Sequence, residues 1–302
     1  AYVSWSDDEL GGVRVASASG GEGRAVTQKP GHYVEPVFTP DGSRIVFRKV
    51  GGGGLTSPTW SQDPGVYVIS SDGGEATRLT KNGVHPHFGA RSDRVYLFRS
   101  REEDKRALAS ISLAGTEERT HLLSEAATDF RVSPDGQWVA FESHPLDVET
   151  QGVITKYRLD GSSAYLALTA AADDCRQPNW SPDGALILYQ RFVGGRWTLW
   201  VMDPDGLSPR QVSTGAGEAT DGSFSPDGQW IVYSGDGPDV VYASLYVVSV
   251  AGGTPRRVTF AEAYDGAPSW SPDGRTIAFE SASGDPDGTA GTTLWVIDAP
   301  VL

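Results

Sequence analysis

The sequence predicts an all-β fold, a six-bladed β-propeller of four-stranded antiparallel blades. Three observations predict it: a turn motif recurs along the chain, its copies lie 44 to 50 residues apart, and each copy precedes a stretch in which apolar and polar residues alternate. A repeat of about 40 to 50 residues built from strands is typical of propellers, in which each unit folds as one sheet. The 302 residues, 38% of them hydrophobic, suffice for the core of one such domain, residues 1–302.

The turn motif is clearest as Trp-Ser-Pro-Asp-Gly at residues 180–184 and 270–274. Related copies stand at residues 38–42, 132–136 and 224–228, and a degenerate copy at 88–92. Pro presets φ, Asp bonds to nearby backbone, and Gly accepts positive φ, so the motif favours a hairpin turn. We therefore interpret its Asp and Gly residues as structural.

Each turn leads into a strand with a period of two, which indicates a buried face. One apolar column contains Ile45, Val95, Val139, Ile187, Ile231 and Ile277, and the column two residues later contains Phe47, Leu97, Phe141, Tyr189, Tyr233 and Phe279. Third and fourth strands follow in each unit. The predicted units span residues 33–83, 84–125, 126–173, 174–218, 219–263 and 264–302.

The two ends of the chain bear on how the ring closes. The last unit supplies three strands, and the sequence Arg-Ala-Val-Thr-Gln at residues 24–28 matches the missing fourth. We predict that this strand, within an N-terminal closure segment of residues 1–32, pairs with the C-terminal blade and removes an open edge. Residues 2–6 and 13–16 also look like strands of a unit, so a partial extra blade is the alternative.

The repeat resembles a known family. The motif Trp/Phe-Ser-Pro-Asp-Gly, the segment Leu-Trp-Val-Met-Asp-Pro-Asp-Gly at residues 199–206 and Arg-Arg-Val-Thr at 256–259 resemble the TolB-like, or PD40, branch of WD40-like β-propellers. The resemblance covers nearly the whole chain. It implies a propeller that binds a protein or peptide partner in a bacterial periplasm, although such propellers also accompany peptidases and amidohydrolases.

Charge and composition exclude several classes of partner. The net charge of −14 argues against nucleic acid and against acidic membrane surfaces, because both are bound through Lys and Arg clusters. No apolar stretch of about eighteen residues exists, so no membrane span is expected. The single Cys175 precludes an intramolecular disulfide, and we expect a monomer. No signal peptide stands at Ala1, which suggests a cytoplasmic chain, a processed one, or a piece excised from a longer polypeptide.

Catalytic motifs are missing from the sequence. It contains no Gly-x-Ser-x-Gly elbow, no His-Glu-x-x-His, no Walker loop and no dinucleotide fingerprint. We predict no catalytic residue and no cofactor. Cys175 is expected to be a buried apolar thiol, and His32, His121 and His144 to be surface residues.

One polar constellation stands out from this background. Three residues before the aromatic position of each inner strand lie Glu35, His85, Asp129, Gln177, Asp221 and Ala267, and one residue before it lie Val37, His87, Arg131, Asn179, Ser223 and Ser269. Innermost strands of a propeller surround its channel, so we expect both columns to face one channel mouth. The predicted ligand-binding residues are Glu35, His85, His87, Asp129, Arg131, Gln177, Asn179 and Asp221.

Three interpretations of this ring stay open. It is a water-filled channel lining, a site for a cationic ligand or peptide, or a divalent metal site built from Glu35, His85, His87 and Asp129. The acidic loops at residues 235–239 and 284–288 lack calcium-loop spacing and are interpreted as exposed turns. We predict a non-enzymatic protein- or peptide-binding scaffold. The alternatives are a metal-dependent propeller lyase or hydrolase, and an engineered or chimeric propeller without a ligand.

Overall fold

A computed structural model describes residues 1–6, 8–17, 23–56, 59–89, 93–101, 105–124, 127–144, 151–215, 217–237, 241–283 and 292–301. This part of the chain is built from β-strands, with one short 3-10 helix at Ala171–Asp173. The degenerate turn at residues 90–92, part of the acidic loop at 235–239 and all of the loop at 284–288 lie outside the described residues.

The described strands form seven antiparallel sheets that follow one another along the chain, which we call blades 1 to 7. Blade 1 contains β1 (Tyr2–Ser6), β2 (Leu10–Val15) and β3 (Arg24–Ala25). Blade 2 contains β4 (His32–Phe38), β5 (Arg44–Val50), β8 (Gly65–Ser70) and β9 (Thr77–Thr80), with the small ribbon β6 (Gly52–Gly53) and β7 (Trp60–Ser61) inserted. Blade 3 contains β10 (Val84–His87), β11 (Arg94–Arg101), β12 (Lys105–Ser112) and β13 (Arg119–Ser124).

The remaining four blades repeat the same order of strands. Blade 4 contains β14 (Ala127–Val132), β15 (Trp138–Ser143), β16 (Val153–Arg158) and β17 (Leu166–Ala167). Blade 5 contains β18 (Cys175–Trp180), β19 (Ile187–Val193), β20 (Arg196–Met202) and β21 (Arg210–Gln211). Blade 6 contains β22 (Ala219–Phe224), β23 (Trp230–Gly235), β24 (Ser244–Ser249) and β25 (Arg256–Arg257), and blade 7 contains β26 (Ala263–Trp270), β27 (Thr276–Ser283) and β28 (Thr293–Asp298).

The prediction of six blades is wrong, because the N-terminal strands form a blade of their own. Tyr2 pairs with Arg14 across β1 and β2, and Arg14 pairs with Ala25 across β2 and β3. Blades were counted from inner-strand signatures, and blade 1 has no strand of that kind among its described residues. The alternative of a partial extra blade at the N-terminus is the one that the structure bears out.

The predicted closure is also wrong. The segment at residues 24–28 was expected to complete the C-terminal blade, but Arg24 pairs with Val15 within blade 1. Val26 follows on and donates a hydrogen bond to the carbonyl oxygen of Val13. The segment is a fourth strand, as its sequence indicated. It pairs with β2, the preceding strand in the chain, because strands that follow one another in sequence usually lie side by side.

The chain divides into two compact units. The first comprises residues 1–127, 135–137 and 158–162, and the second comprises residues 128–134, 138–157 and 163–302. In the first unit, the core between blades 1 and 2 contains Val13, Val26, Tyr33, Ile45, Phe47 and Ile69. In the second unit, the cores between successive blades include Cys175, Tyr189 and Met202 and, further along the chain, Leu199, Val212 and Tyr233. The predicted apolar columns are therefore the residues that pack blade on blade.

The turn motifs have the structural role expected of them. In the copy at residues 180–184, the Ser181 hydroxyl donates to Asp183 Oδ1 at 2.6 Å, and the same oxygen accepts the backbone N–H of Ala185 at 3.0 Å. The Ser181 oxygen in turn accepts the N–H of Leu186 at 2.9 Å. These hydrogen bonds hold the pKa of Asp183 below its usual value. The motif thus fixes the start of the second strand in the five copies that the structure describes in full.

Candidate functional site

All six residues of the predicted polar column share one backbone feature, a positive φ. The angles are 55° at Glu35, 50° at His85, 48° at Asp129, 51° at Gln177, 54° at Asp221 and 48° at Ala267. A residue other than glycine in this left-handed region costs about 1–2 kcal/mol. The inner strand of each of blades 2 to 7 therefore carries the same local distortion at the same place.

The distortion is a β-bulge. In blade 2 the pairing jumps from Val34 opposite Arg48 to Val37 opposite Val46, so one extra residue is accommodated on the inner strand. Equivalent shifts occur in blades 3, 5, 6 and 7. The two predicted columns are therefore not related by simple strand alternation, as the sequence analysis assumed. The sequence signal for the bulge is the Pro that follows the column residue in four copies, because Pro cannot donate a hydrogen bond to the ladder and within a sheet is tolerated at bulges.

In the first unit, the carboxylate of Glu35 is held by two neighbours. Arg48 donates to it with Nε and Nη2 at 3.0 and 3.1 Å. The backbone N–H of His85, on the next blade, donates at 2.8 Å, and His85 Nδ1 lies 3.3 Å from the other carboxylate oxygen. Glu35 thus ties the inner strand of blade 2 to that of blade 3, and its charge is already balanced by Arg48.

The two histidines of blade 3 lie over neighbouring rings. The His85 ring meets Phe98 edge-on at 5.9 Å, and the His87 ring stacks on Tyr96 at the same distance. Phe98 and Tyr96 are two residues apart on β11, so both imidazoles lie on one face of the sheet. Among the described residues, however, no group of three or more His, Cys, Asp or Glu side chains is placed to hold a metal ion.

In the second unit, the column residues of blades 4 to 6 differ in how they are partnered. Gln177 accepts a short hydrogen bond from the side-chain amide of Gln190. Asp129 is half-buried and faces Glu142, and Asp221 is half-buried without a hydrogen bond or ion pair to any described residue. Within the described ranges, neither carboxylate therefore forms an ion pair, although Asp129 lies near Arg131.

The other predicted residues of this unit lie close by along the same strands. Arg131 is exposed, and its carbonyl oxygen accepts the indole N–H of Trp180 at 2.9 Å. Asp129 lies near enough to Arg131 to interact with it electrostatically. Trp270 makes the equivalent bond to the Ser223 carbonyl oxygen at 3.3 Å. The Trp of these two turn motifs therefore anchors its blade to the preceding inner strand.

Sequence reasoning missed a buried acid next to this column. Glu142, on β15, is 4% exposed and accepts a hydrogen bond from His144 Nε2 at 2.9 Å. Arg176 Nε is 3.9 Å from the same carboxylate oxygen. Burial, reinforced by the charge of Asp129, raises the pKa of Glu142 to about 7. His144, expected at the surface, instead forms part of this network.

A sequence signal for Glu142 existed. It stands directly after the second apolar column, at the position where the other blades have Arg48, Phe98, Gln190, Ser234 and Glu280. This position lies across from the bulge, so its side chain meets the column residue of its own blade: Arg48 meets Glu35, and Gln190 meets Gln177. Only in blade 4 do both positions carry an acid, Asp129 and Glu142.

The remaining predictions for single residues were mixed. Cys175 is fully buried, and burial raises the pKa of its thiol to about 12, which makes it unreactive as a nucleophile. His121 is half-buried and shares a hydrogen bond with the Ser110 hydroxyl at 2.8 Å, so it is not a simple surface residue. His32 is half-buried with its ring 4.4 Å from that of Trp5.

Comparison with known proteins agrees with this architecture. Residues 162–290 match the TolB beta propeller domain, PD40. This part of the chain is therefore similar to the TolB-like β-propellers. A structure of putative TolB from Agrobacterium tumefaciens is 19% identical and superposes with a TM-score of 0.63, covering 93% of this chain and 95% of that one. No helix within the described ranges is long and apolar enough to cross a membrane.

Two enzymes are also similar to this chain. Over 110 residues it is 31% identical to dipeptidyl-peptidase 5 of Porphyromonas endodontalis, a match covering 35% of this chain and 16% of the peptidase. A puromycin hydrolase is 17% identical with a TM-score of 0.74, covering 98% of this chain and 50% of that one. The chain therefore spans half or less of either enzyme, and at this identity the hydrolase shows the fold alone.

Proposed function

We propose that the TolB-like propeller is a non-catalytic binding module that captures a basic segment of a protein or peptide partner. The proposed contacts are the inner-strand residues of blades 4 to 6: Asp129, Arg131, Gln177, Asn179 and Asp221. The observation that carries the proposal is that Asp129 and Asp221 form no ion pair with a basic side chain among the described residues, and that both stand at one repeated, strained backbone position.

The strained position itself does not require a polar side chain. Ala267 adopts the same left-handed conformation in blade 7, so the bulge forms with a methyl group alone. The polar side chains at the other five copies are thus not needed to form the bulge and can contact a ligand. Strained backbone positions of this kind cluster at functional sites. Two of these, Glu35 and Gln177, already bond to their own blade, whereas Asp129 and Asp221 remain available to a ligand.

Electrostatics favour a cationic ligand. The chain carries a net charge of −14, which attracts a basic segment at long range. The half-buried carboxylates would then bind Lys or Arg side chains by charge-assisted hydrogen bonds. Arg131 and Asn179 would supply donors to backbone carbonyls of the same segment. Glu35, His85 and His87 belong to the proposal as the corresponding positions of blades 2 and 3.

The test uses a Lys-rich peptide as the probe and isothermal titration calorimetry as the measurement. Replacing Asp129 and Asp221 together by Asn should weaken binding at least about tenfold, since each charge-assisted bond contributes roughly 1 kcal/mol or more. A matched variant replaces the exposed Asp72 and Asp160 by Asn and so removes the same charge elsewhere. Equal weakening by both pairs would reduce the effect to net charge and contradict the site.

A second candidate function is favoured by one observation, the near-complete match of this chain to half of a puromycin hydrolase. In that case the propeller serves as the substrate-admitting part of a peptidase. The complete natural polypeptide that contains this sequence should then hydrolyse dipeptidyl anilides, while residues 1–302 alone should not. Absence of hydrolysis by the complete polypeptide would remove this candidate.

The metal-dependent lyase or hydrolase stays an alternative prediction. It requires a divalent ion at Glu35, His85, His87 and Asp129, and the described residues show the Glu35 and His85 pair in contact. Titration with Mn²⁺ against the wild type and a His85→Ala variant decides it. The periplasmic location and the monomeric state are likewise part of the proposal, checked by cell fractionation and by analytical ultracentrifugation.

A further inference from the structure

In blades 2 and 5, the column residue of the inner strand bonds to the residue that stands 13 positions later, on the second strand. Arg48 donates to Glu35 with Nε and Nη2 at 3.0 and 3.1 Å. The side-chain amide of Gln190 likewise donates to Gln177. In each of these blades, the second strand therefore supplies the donor that the acceptor on the inner strand requires.

Blade 4 carries an acid at both of these positions. Asp129 stands on β14 and is half-buried, and Glu142 stands on β15 with only 4% of its surface exposed. The negative charge of Asp129 acts on the carboxyl group of Glu142, so the two side chains lie close enough to interact. An acceptor thus meets a second acceptor where blades 2 and 5 have a donor. Two adjacent carboxylates repel each other, so the pair requires either a proton or a cation.

The charged groups around this pair do not balance it. Arg176 Nε lies 3.9 Å from Glu142 Oε1 but closer, at 3.4 Å, to Asp174 Oδ1. His144 Nε2 lies 2.9 Å from the same Glu142 oxygen and adds a positive charge only when the ring is protonated. Among the described residues, three carboxylates therefore surround two guanidinium groups: Asp129, Glu142 and Asp174 against Arg131 and Arg176. One negative charge thus lacks a permanent positive partner.

We propose that Asp129 and Glu142 together bind one ammonium group, supplied by a Lys of the partner's basic segment. The ammonium group takes the place of the donor that Arg48 provides in blade 2. This inference rests on the proposed function and adds Glu142 to its contacts. The oxygens of Glu142 already accept from His144 and from the backbone N–H of Gln177. A compact ammonium group can bridge one remaining acceptor site on each carboxylate, whereas a guanidinium group favours both oxygens of a single carboxylate.

A proton competes with the ammonium group for this pair. Without a cation, burial and the charge of Asp129 raise the pKa of Glu142 to about 7, so part of the protein carries a proton there near neutrality. The bound cation stabilises the ionised carboxylate, and the proton passes to the buffer. The apparent affinity should therefore fall about tenfold between pH 8 and pH 6, because the protonated form of Glu142, in roughly tenfold excess at the lower pH, must ionise before capture.

The first test is isothermal titration calorimetry at pH 8 with the Lys-rich peptide as the probe. Glu142→Gln keeps the shape of the side chain and removes its charge, so the peptide should bind about tenfold more weakly. The matched control is Glu280→Gln, the same change at the same strand position of blade 7, where the column residue is Ala267. This control should retain the wild-type affinity. Urea denaturation checks that both variants fold.

The second test compares peptide binding at pH 8 and at pH 6. The wild type should lose about tenfold in affinity at the lower pH, whereas Glu142→Gln should bind equally weakly at both values. Titrations at pH 6 in two buffers of different ionisation enthalpy should show that the wild type releases close to one proton per bound peptide. This measurement uses the unaltered protein, so it does not depend on whether a substitution disturbs the fold.

Four outcomes contradict the inference. Wild-type binding that is equally tight at both pH values, without proton release, overturns it and leaves the proposed function standing. A pH dependence that persists in Glu142→Gln overturns it by assigning the titration to a histidine such as His144. Equal weakening by Glu142→Gln and Glu280→Gln overturns it by reducing the effect to net charge. Absence of peptide binding at both pH values overturns it together with the proposed function.

Discussion

At the scale of single residues, the surroundings of different Asp and Glu carboxylates shift their pKa values in opposite directions. The turn aspartates accept several hydrogen bonds, which stabilise their charged form and lower their pKa. Glu142 is buried near another acid, which destabilises its charged form and raises its pKa. The same functional group therefore fixes a turn in one place and carries a titratable proton near neutrality in another.

Asp183→Ala tests the turn reading. It removes the acceptor for Ser181 and Ala185, so the free energy of unfolding should fall by about 1 kcal/mol. Urea denaturation measures the loss. The control is Glu75→Ala, since Glu75 is exposed and makes no hydrogen bond to the described residues. Peptide binding should survive in both variants, and its loss in Asp183→Ala with unchanged stability would speak against a structural role.

Glu142→Gln tests the buried acid through pH. The folded pKa of about 7 lies above the ordinary value of 4.5, so the native state binds more protons than the unfolded state between these values. Stability from this group is complete below its unfolded pKa and is lost as pH rises toward 7. Relative to Glu142→Gln, the wild type should therefore lose stability between about pH 4.5 and about pH 7 and change no further above it.

Urea midpoints of both proteins across this range provide the measurement. The control is Glu75→Gln, whose difference from the wild type should stay flat over the same window. A wild type that gains stability relative to Glu142→Gln as pH rises would show that the carboxylate is stabilised in its charged form by His144 and Arg176, contrary to our expectation.

At the scale of elements, the fourth strand is held to the third by side chain as well as backbone. These strands are short, two residues of regular pairing in blades 5 and 6, so ladder hydrogen bonds alone are few. The hydroxyl of the following Ser or Thr adds a bond to the third strand. The Arg-x-Val-Thr pattern thus allows a fourth strand of very few residues to complete the outer edge of a blade.

Thr259→Val tests this device, because it replaces the hydroxyl by a methyl group of similar size. The buried N–H of Leu245 loses its acceptor at 2.9 Å, and the free energy of unfolding should fall by roughly 1–3 kcal/mol. Thr259→Ser keeps the oxygen and should retain most of the stability. Denaturation by urea distinguishes the two, and equal losses in both variants would assign the effect to packing of the methyl group.

At the scale of the whole molecule, removing the N-terminal blade should uncover part of the core of blade 2. Val13 and Val26 of blade 1 pack on Tyr33, Ile45, Phe47 and Ile69 of blade 2. Deleting residues 1–28 should expose these four side chains, and burying a large apolar side chain contributes about 1.5–3 kcal/mol. We expect a lower melting temperature and aggregation, observed by differential scanning fluorimetry and light scattering. A truncated chain as stable and monodisperse as the full one would refute the assignment of blade 1 to this core.

Much of the fold was predictable because its signals are local and repeated. The turn motif, the period-two columns around Ile187 and Tyr189, and the burial of Cys175 follow from residue type and spacing alone. The column of Glu35, Asp129 and Asp221 was also found from register, since all three stand at a fixed distance before an aromatic. Sequence thus determined the kind of blade, the identity of its core and the family to which it is similar.

The count of blades, the partner of the segment at residues 24–28 and the network around Glu142 were decided by tertiary structure. The sequence of a segment indicates that it can form a strand. Which strand it pairs with depends on the three-dimensional path of the chain, and residues 24–25 pair with β2. Glu142 meets Arg176 only because β18 of blade 5 packs beside β15 of blade 4.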